Sequence, residues 1–181
     1  MSRKVDLSQY GNKWYKPGRN ALVRTLWYVT NALFFKKSWC TCYGLKRLLL
    51  RCYGAKVGKR VVIKPNVNIK YPWRLCIGDY SWIGEGVWID NLEDAIIGNN
   101  CCVSQGAMLL CGNHDYTKKS FDLKIGKIVL EDGVWVGAKA LVCPGVTIGA
   151  GSVLAAGSVA TKNIAPNCVA QGNPAVEKRK L

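Results

Sequence analysis

The sequence predicts an all-β solenoid, a parallel prism of about five coils behind an N-terminal helical or irregular cap. Three observations predict it. Apolar residues recur at every sixth position from Val57 to Ala160, glycines and small residues fill the places beside them, and one long excursion carrying the only histidine breaks the rhythm. A helix would repeat its apolar positions near 3.6 and a lone strand near 2, so a period of six calls for short strands joined by tight turns.

The phased positions are Val57, Ile63, Ile69, Ile77, Ile83, Ile89, Ile97, Val103, Leu109, Leu130, Val136, Val142, Ile148, Leu154 and Ala160. The following residue is often Gly, as at Gly58, Gly78, Gly84, Gly98, Gly137 and Gly149. The fifth of each six is small or β-branched, as at Val61, Ser81, Cys101, Val134 and Ser152. Three sixes make one turn, and at ordinary strand spacing five stacked turns stand roughly 24 Å tall. The phase slips by two residues between Ile69 and Ile77 and again between Ile89 and Ile97, which places corner bulges at 71–76 and 91–96.

Three segments follow: a basic, aromatic cap over 1–56, the β-helix over 57–163 with its excursion loop at 112–129, and a short tail over 164–181. The charge is uneven. Residues 1–60 hold fourteen Lys/Arg against one acid, a net +13, and residues 61–181 hold twelve against ten, a net +2. With Trp14, Tyr15, Trp27, Tyr28, Phe34, Phe35 and Trp39 among them, Lys36, Lys37, Lys46, Arg47 and Arg51 suit either a cap on the open first coil or a cap that also meets anionic lipid. No nucleic-acid motif accompanies the charge.

The longest apolar candidate, 21–35, is too short and too polar to span a bilayer, and the N-terminus lacks a signal-peptide layout, so a cytoplasmic location is expected, with peripheral contact at the inner membrane face under the lipid reading. Nine cysteines are too many and too scattered for a zinc pattern and odd in number, and the chain is no small secreted scaffold, so neither a metal nor disulfides are expected.

A solenoid's chemistry sits where its period breaks. Here Leu109 is followed by Leu130, and the insertion begins at Asn113-His114-Asp115. Imidazole can take and return a proton near neutral pH, so His114 is the expected general base, with Asp115 and Asp122 as acids near enough in sequence to orient it. No nucleophile triad is recognisable by spacing. Direct transfer follows, in which the base deprotonates an acceptor hydroxyl and a backbone N–H holds the oxyanion.

The phased hexapeptides, the Asn113-His114-Asp115 loop, the runs Trp135 to Lys139, Pro144 to Gly149 and Gly157 to Lys162, and the ending Gly172 to Ala175 resemble the hexapeptide acyltransferases of the left-handed β-helix superfamily. The stretch Ile63 to Trp73, with Trp88 to Leu92, Phe121 to Leu123 and Trp14 to Gly18, is similar to the colanic acid biosynthesis acetyltransferase group. The resemblance implies a left-handed coil, against the usual hand of parallel crossovers. It also implies a homotrimer, acetyl-CoA as co-substrate between neighbouring prisms, and a sugar or lipid-linked sugar as acceptor in exopolysaccharide or capsule assembly.

By motif, Trp135 would wall the site, the Ala138 N–H would meet the thioester oxygen, and Ala155 and Ala156 would touch the pantetheine arm. Thr161, Lys162 and Arg179 would lie toward the nucleotide, while Asp90, Asn91, Asn113 and Asp122 would face the acceptor. For Ala155, Ala156 and Thr161 plain coil packing explains the residue types equally well. Three rivals remain: transfer of a longer chain from an acidic acyl carrier protein, a β-helix carbonic anhydrase, which needs three zinc histidines where this chain has one, and a non-catalytic scaffold.

Overall fold

Fifteen apolar residues in one phase become a single column of core. In the computed structural model, which describes residues 5–181, every phased side chain is buried, none more than 8 % exposed. The strands build three parallel faces. The first stacks Lys56–Val57, Leu75–Ile77, Ala95–Ile97, Ile128–Leu130 and Thr147–Ile148. The second stacks Val62–Ile63, Trp82–Ile83, Cys102–Val103, Trp135–Val136, Val153–Leu154 and Cys168–Gly172. The third stacks Asn68–Ile69, Trp88–Asp90, Met108–Leu110, Leu141–Val142 and Val159–Ala160.

The glycines after the phased residues serve close approach between coils. A Cβ on Gly84 would stand 2.8 Å from the Gln105 nitrogen, and one on Gly98 would stand 2.8 Å from that of Asp132. No side chain fits there. At the corner between the first and second faces, Asp79, Asn99 and Asp132 form a ladder in which each side-chain oxygen accepts an N–H from the coil before it, at 2.7 to 2.8 Å.

The expected count of about five coils is corrected to about six. Ile164 bridges in parallel to Ile148, and Ala170 pairs with Leu154, so a sixth turn begins sixteen residues after the fifth rather than eighteen. The contraction hides it from the phase. Residues 164–181, expected as a short tail, thus extend the prism, and Ala175–Lys180 folds back antiparallel on Cys168–Gly172. Both expected corner bulges are present, the first holding a 3₁₀ turn at Pro72–Arg74.

Two helices close the other end. Helix α1 (Ala21–Thr30) starts at Asn20, whose side chain accepts the Val23 N–H at 3.0 Å, and passes into a π-helical turn over Asn31–Phe35; α2 spans Tyr43–Cys52. The first coil has no coil before it, so its outward carbonyls need other donors. Trp27 Nε1 donates to the Ile69 carbonyl at 2.9 Å, and Lys46 Nζ donates to Lys64 at 2.9 Å and Ile63 at 3.3 Å. Arg47 donates to Val61 at 2.8 Å and Arg51 to Val57 at 2.7 Å. Burial pushes the Lys46 ammonium below its usual pKa, yet it keeps its donors on the coil.

Lys46 is wholly buried, and hydrogen bonds from charged donors contribute ~1.5–3 kcal/mol each. Lys46→Met keeps the stem and removes the donors. It is expected to lower the melting temperature by about 5–10 °C and to speed amide exchange over 57–69. Wild-type melting of the variant would assign the cap's stability to packing alone.

Candidate active site

The excursion folds as a hairpin. Gly112–His114 pairs antiparallel with Leu123–Ile125, His114 opposite Leu123. Asp115 donates its N–H to the Asp122 carbonyl at 2.7 Å, and the Asp115 carboxylate accepts from the Thr117 N–H at 2.9 Å and from the Thr117 hydroxyl, and ion pairs with Lys124 at 3.0 Å.

The His114 ring lies flat on Phe121, centroids 4.4 Å apart and 5° between planes, with Tyr10 at 5.6 Å. His114 Nδ1 is 2.9 Å from the Phe121 carbonyl oxygen. A carbonyl only accepts, so Nδ1 carries the proton and Nε2 presents its lone pair. Phe121 holds that carbonyl in place from a left-handed conformation, φ 51°, which costs a non-glycine residue about 1–2 kcal/mol.

The expectation that Asp115 or Asp122 orients the imidazole is therefore corrected. Asp115 is spent on Thr117 and Lys124, and Asp122 is ion paired with Lys118 at 2.9 Å. Their sequence proximity made them candidates, but hairpin pairing turns both into braces of the loop. Asn113 is exposed, and its side-chain oxygen accepts the His114 N–H at 2.8 Å. Asn91 is corrected as well: it is fully buried, and its amide bonds the backbone of Tyr71 and Arg74, pinning the first bulge rather than facing an acceptor. Asp90 is buried and ion paired with Lys70 at 2.9 Å, and it lines a second cavity rather than the one before His114.

A cleft of about 350 Å³ opens before His114, lined by Tyr10, Tyr15, Arg24, Lys70, Tyr71 and Leu92 among others. Half its wall is the N-terminal arm. The Asp6 N–H donates to the Lys119 carbonyl at 2.9 Å, the Pro17 carbonyl accepts from Trp73 Nε1 at 2.6 Å, and Tyr15 donates to the Leu92 carbonyl at 2.7 Å. Burial raises the Tyr15 hydroxyl well above its usual pKa and keeps it a donor. Sequence reasoning missed the Phe121 carbonyl, Tyr10 and the arm's part in this wall. A backbone acceptor leaves no trace in residue type, and the arm's long-range contacts have no local pattern.

The remaining expected residues lie elsewhere. Trp135 is half exposed on the second face, its Nε1 donating to Ser104 at 2.9 Å, and with Trp82 and Cys102 it lines a groove of about 470 Å³. Ala138, Ala155 and Ala156 stack at the corner between the second and third faces, and the Ala138 N–H has no backbone acceptor among the described residues. His114 projects from the corner between the third and first faces, the corner that also carries Thr161 and Lys162. Arg179 is exposed on the last strand, opposite Val169. One chain thus holds His114 and the Ala138 amide at opposite edges of the third face.

The stacked hexapeptide prism is matched over residues 127–162 by the family profile described as bacterial transferase hexapeptide (six repeats). The chain belongs to the left-handed β-helix acetyltransferases of that family, in the colanic acid biosynthesis acetyltransferase group. It is 40 % identical over 163 residues, 90 % of each chain, to the protein of Escherichia coli K12 that bears the group's name, WcaF. It is also similar to the solved maltose O-acetyltransferase of Clostridium difficile 630, with TM-score 0.80, 25 % identity and 90 % and 89 % of the two chains covered. A galactoside acetyltransferase solved in complex with coenzyme A gives TM-score 0.77 at 27 % identity, covering 88 % of this chain and 80 % of its own.

The hydroxyl of Thr117, then Lys124 and the Thr117 amide, hold the Asp115 carboxyl down to about 2 from 3.8. A depressed carboxyl contributes its stabilisation above the unfolded pKa and loses it as pH falls through the folded one. Protection of the 112–125 amides is therefore expected to be complete at pH 4 and to fail near pH 2. In Asp115→Asn these amides should be less protected at pH 7, with no acid step, and unchanged protection would remove Asp115 from the hairpin's support.

Proposed function

We propose that the protein transfers an acetyl group from acetyl-CoA to a sugar hydroxyl in exopolysaccharide or capsule assembly, with His114 as the general base. The observation that carries this reading is the Nδ1 bond from His114 to the Phe121 carbonyl, which leaves the Nε2 lone pair free on a residue that lines a cleft large enough for a sugar. Nε2 takes the proton of the acceptor hydroxyl as its oxygen attacks the thioester carbonyl. The tetrahedral oxyanion is held by a backbone N–H, for which Ala138 is suited. Collapse breaks the carbon–sulfur bond, and the imidazolium returns its proton to the departing thiolate.

The separation of His114 from Ala138 within one chain supports a homotrimer with each site between two copies, the base from one and the amide and Trp135 wall from the next. The groove along Trp82, Cys102 and Trp135 fits the pantetheine arm of acetyl-CoA, with Ala155 and Ala156 beyond it and Thr161, Lys162 and Arg179 toward the nucleotide.

The protein works in the cytoplasm, at the inner membrane face. Lys46, Arg47 and Arg51, counted among the basic residues suited to lipid, are turned into the prism, and Trp27 and Phe35 are buried. The face left for lipid is Leu22, Leu26, Val29 and Leu33 along α1 and its π turn, with Tyr28 and Trp39, flanked by Arg19, Lys36 and Lys37. No helix among the described residues is long and apolar enough to cross a membrane. This face suits adsorption to an anionic surface.

His114→Ala is expected to lower acetyl transfer at least ~100-fold with melting near wild type. Mixed trimers of His114→Ala and Trp135→Ala chains should regain activity, because some sites then take both intact residues. Full turnover by His114→Ala would remove the base, and no recovery in mixed trimers would place each site within one chain.

Co-sedimentation tests the lipid face. Full-length protein should bind anionic vesicles at low salt, lose them at high salt as screening shortens, and bind neutral vesicles poorly. Leu26→Glu, at an exposed position, should weaken the anionic binding. Equal, negligible binding to both vesicle types at low salt would leave the segment as a cap only.

A further inference from the structure

A second cavity adjoins the His114 cleft. Arg24, Lys70 and Tyr71 line both the cleft and this cavity of about 330 Å³ between α1 and the third face, bounded further by Trp27, Tyr28, Lys36, Trp88 and Asp90. The two cavities adjoin across these three shared walls, with His114 lining the first and Lys36 the second.

Its electrostatics are unbalanced. Three cations face one carboxylate, and Asp90 is taken by Lys70 at 2.9 Å. Arg24 has no side-chain hydrogen bond or ion pair among the described residues, and its Nε is buried without an acceptor. A buried donor of a charged group is costly to leave unpaired, and an anion brought by a ligand would satisfy it. Arg47 and Arg51, on α2, show the alternative: their guanidinium groups donate to first-coil carbonyls. Arg24 lies on the cavity side of α1 and reaches no such partner.

We propose that Arg24, Lys70 and Lys36 bind the diphosphate of an activated acceptor, whose sugar then extends along Tyr71 to His114. A diphosphate diester carries one negative charge on each phosphate, matching what remains of the three cations after Asp90. Arg24 offers the planar fork that phosphate oxygens accept in pairs. Tyr71, stacked on Trp73 at 5.0 Å, lines the cleft together with the cations and His114, where an aromatic face suits a sugar ring. The diphosphate is that of a nucleoside diphosphate sugar or of a polyprenyl diphosphate sugar, which share this chemistry. The proposal rests on the acetyltransferase reading for the role of the sugar, while the anion site itself stands apart from it.

Calorimetry with inorganic pyrophosphate in saturating coenzyme A, which occupies any phosphate site of the donor, tests the anion site directly. Wild type should bind, Arg24→Lys should bind more weakly, and Arg24→Gln and the exposed Lys36→Gln should lose roughly 10- to 100-fold in affinity, with binding weakened by salt. Acetyl transfer to a simple glycoside, a nucleoside diphosphate sugar and a polyprenyl diphosphate sugar then separates the sources. Arg24→Gln should raise KM for whichever diphosphate acceptor is used at least ~10-fold more than for the glycoside, with smaller changes in kcat. Pyrophosphate that fails to bind, or binds wild type and Arg24→Gln alike, overturns the proposal, as does an equal KM change for all acceptors. If no acceptor is acetylated at all, the acetyltransferase reading falls, and the pyrophosphate titration still decides the site.

Discussion

Every interior coil in this prism hydrogen-bonds to the coil before and the coil after, so the fold depends on how its two ends are closed. Interior coils need nothing beyond the repeat: the Gly84 N–H donates to Val103, the Ser104 N–H to Val136 and the Gly137 N–H to Leu154, each at 2.7 to 2.8 Å. The first coil has carbonyls at Val57, Val61, Ile63 and Ile69 with no coil to donate to them. An unpaired buried carbonyl costs on the scale of a lost hydrogen bond, and several together would fray the end. Long cationic side chains answer this because they carry several donors on flexible stems. The last coil is closed differently, by the strand Ala175–Lys180 and by Glu177, whose carboxylate accepts the Ala165 N–H at 2.7 Å.

That constraint explains much of the charge asymmetry. Lys46, Arg47 and Arg51 lie on one helix at the spacing that turns them onto the coil end, and Trp27 joins them from α1. Their charge is structural. What remains basic on the outside, at Arg19, Lys36 and Lys37, borders exposed apolar residues, so composition combined two populations that geometry separates.

The repeat was legible because a period of six is written in residue type: an aliphatic must point inward, and a glycine must stand where a Cβ would strike the next coil. The excursion was legible for the same reason, as a gap in that period holding His114. Orientation was not. Asp115 is adjacent to His114 and chemically able to hold it, yet the hairpin gives that task to the Phe121 carbonyl, which every residue type possesses. Asn91 has the look of a site residue by composition and neighbours, but its amide is consumed by Tyr71 and Arg74 at the bulge. The sixth coil was hidden because its phase contracts between Ile148 and Ile164. The part of the N-terminal arm in the cleft was hidden because Tyr10 and Tyr15 reach residues some 80 to 100 positions away, at Leu92 and His114.

A solenoid of small corners has little concave surface, and that shapes where chemistry can occur. Tight turns of four residues leave no pocket, so a cleft needs an insertion, a cap or a second chain to supply its other wall. The first two are present here. The hairpin supplies His114, and the arm and α1 close the cleft over Lys70 and Tyr71. The amide corner at Ala138 and the Trp135 groove have no opposing wall in the same chain, since the hairpin hangs from the far edge of the third face. The Trp135 groove therefore stands open on its outer side, while the cleft before His114 is walled by the arm.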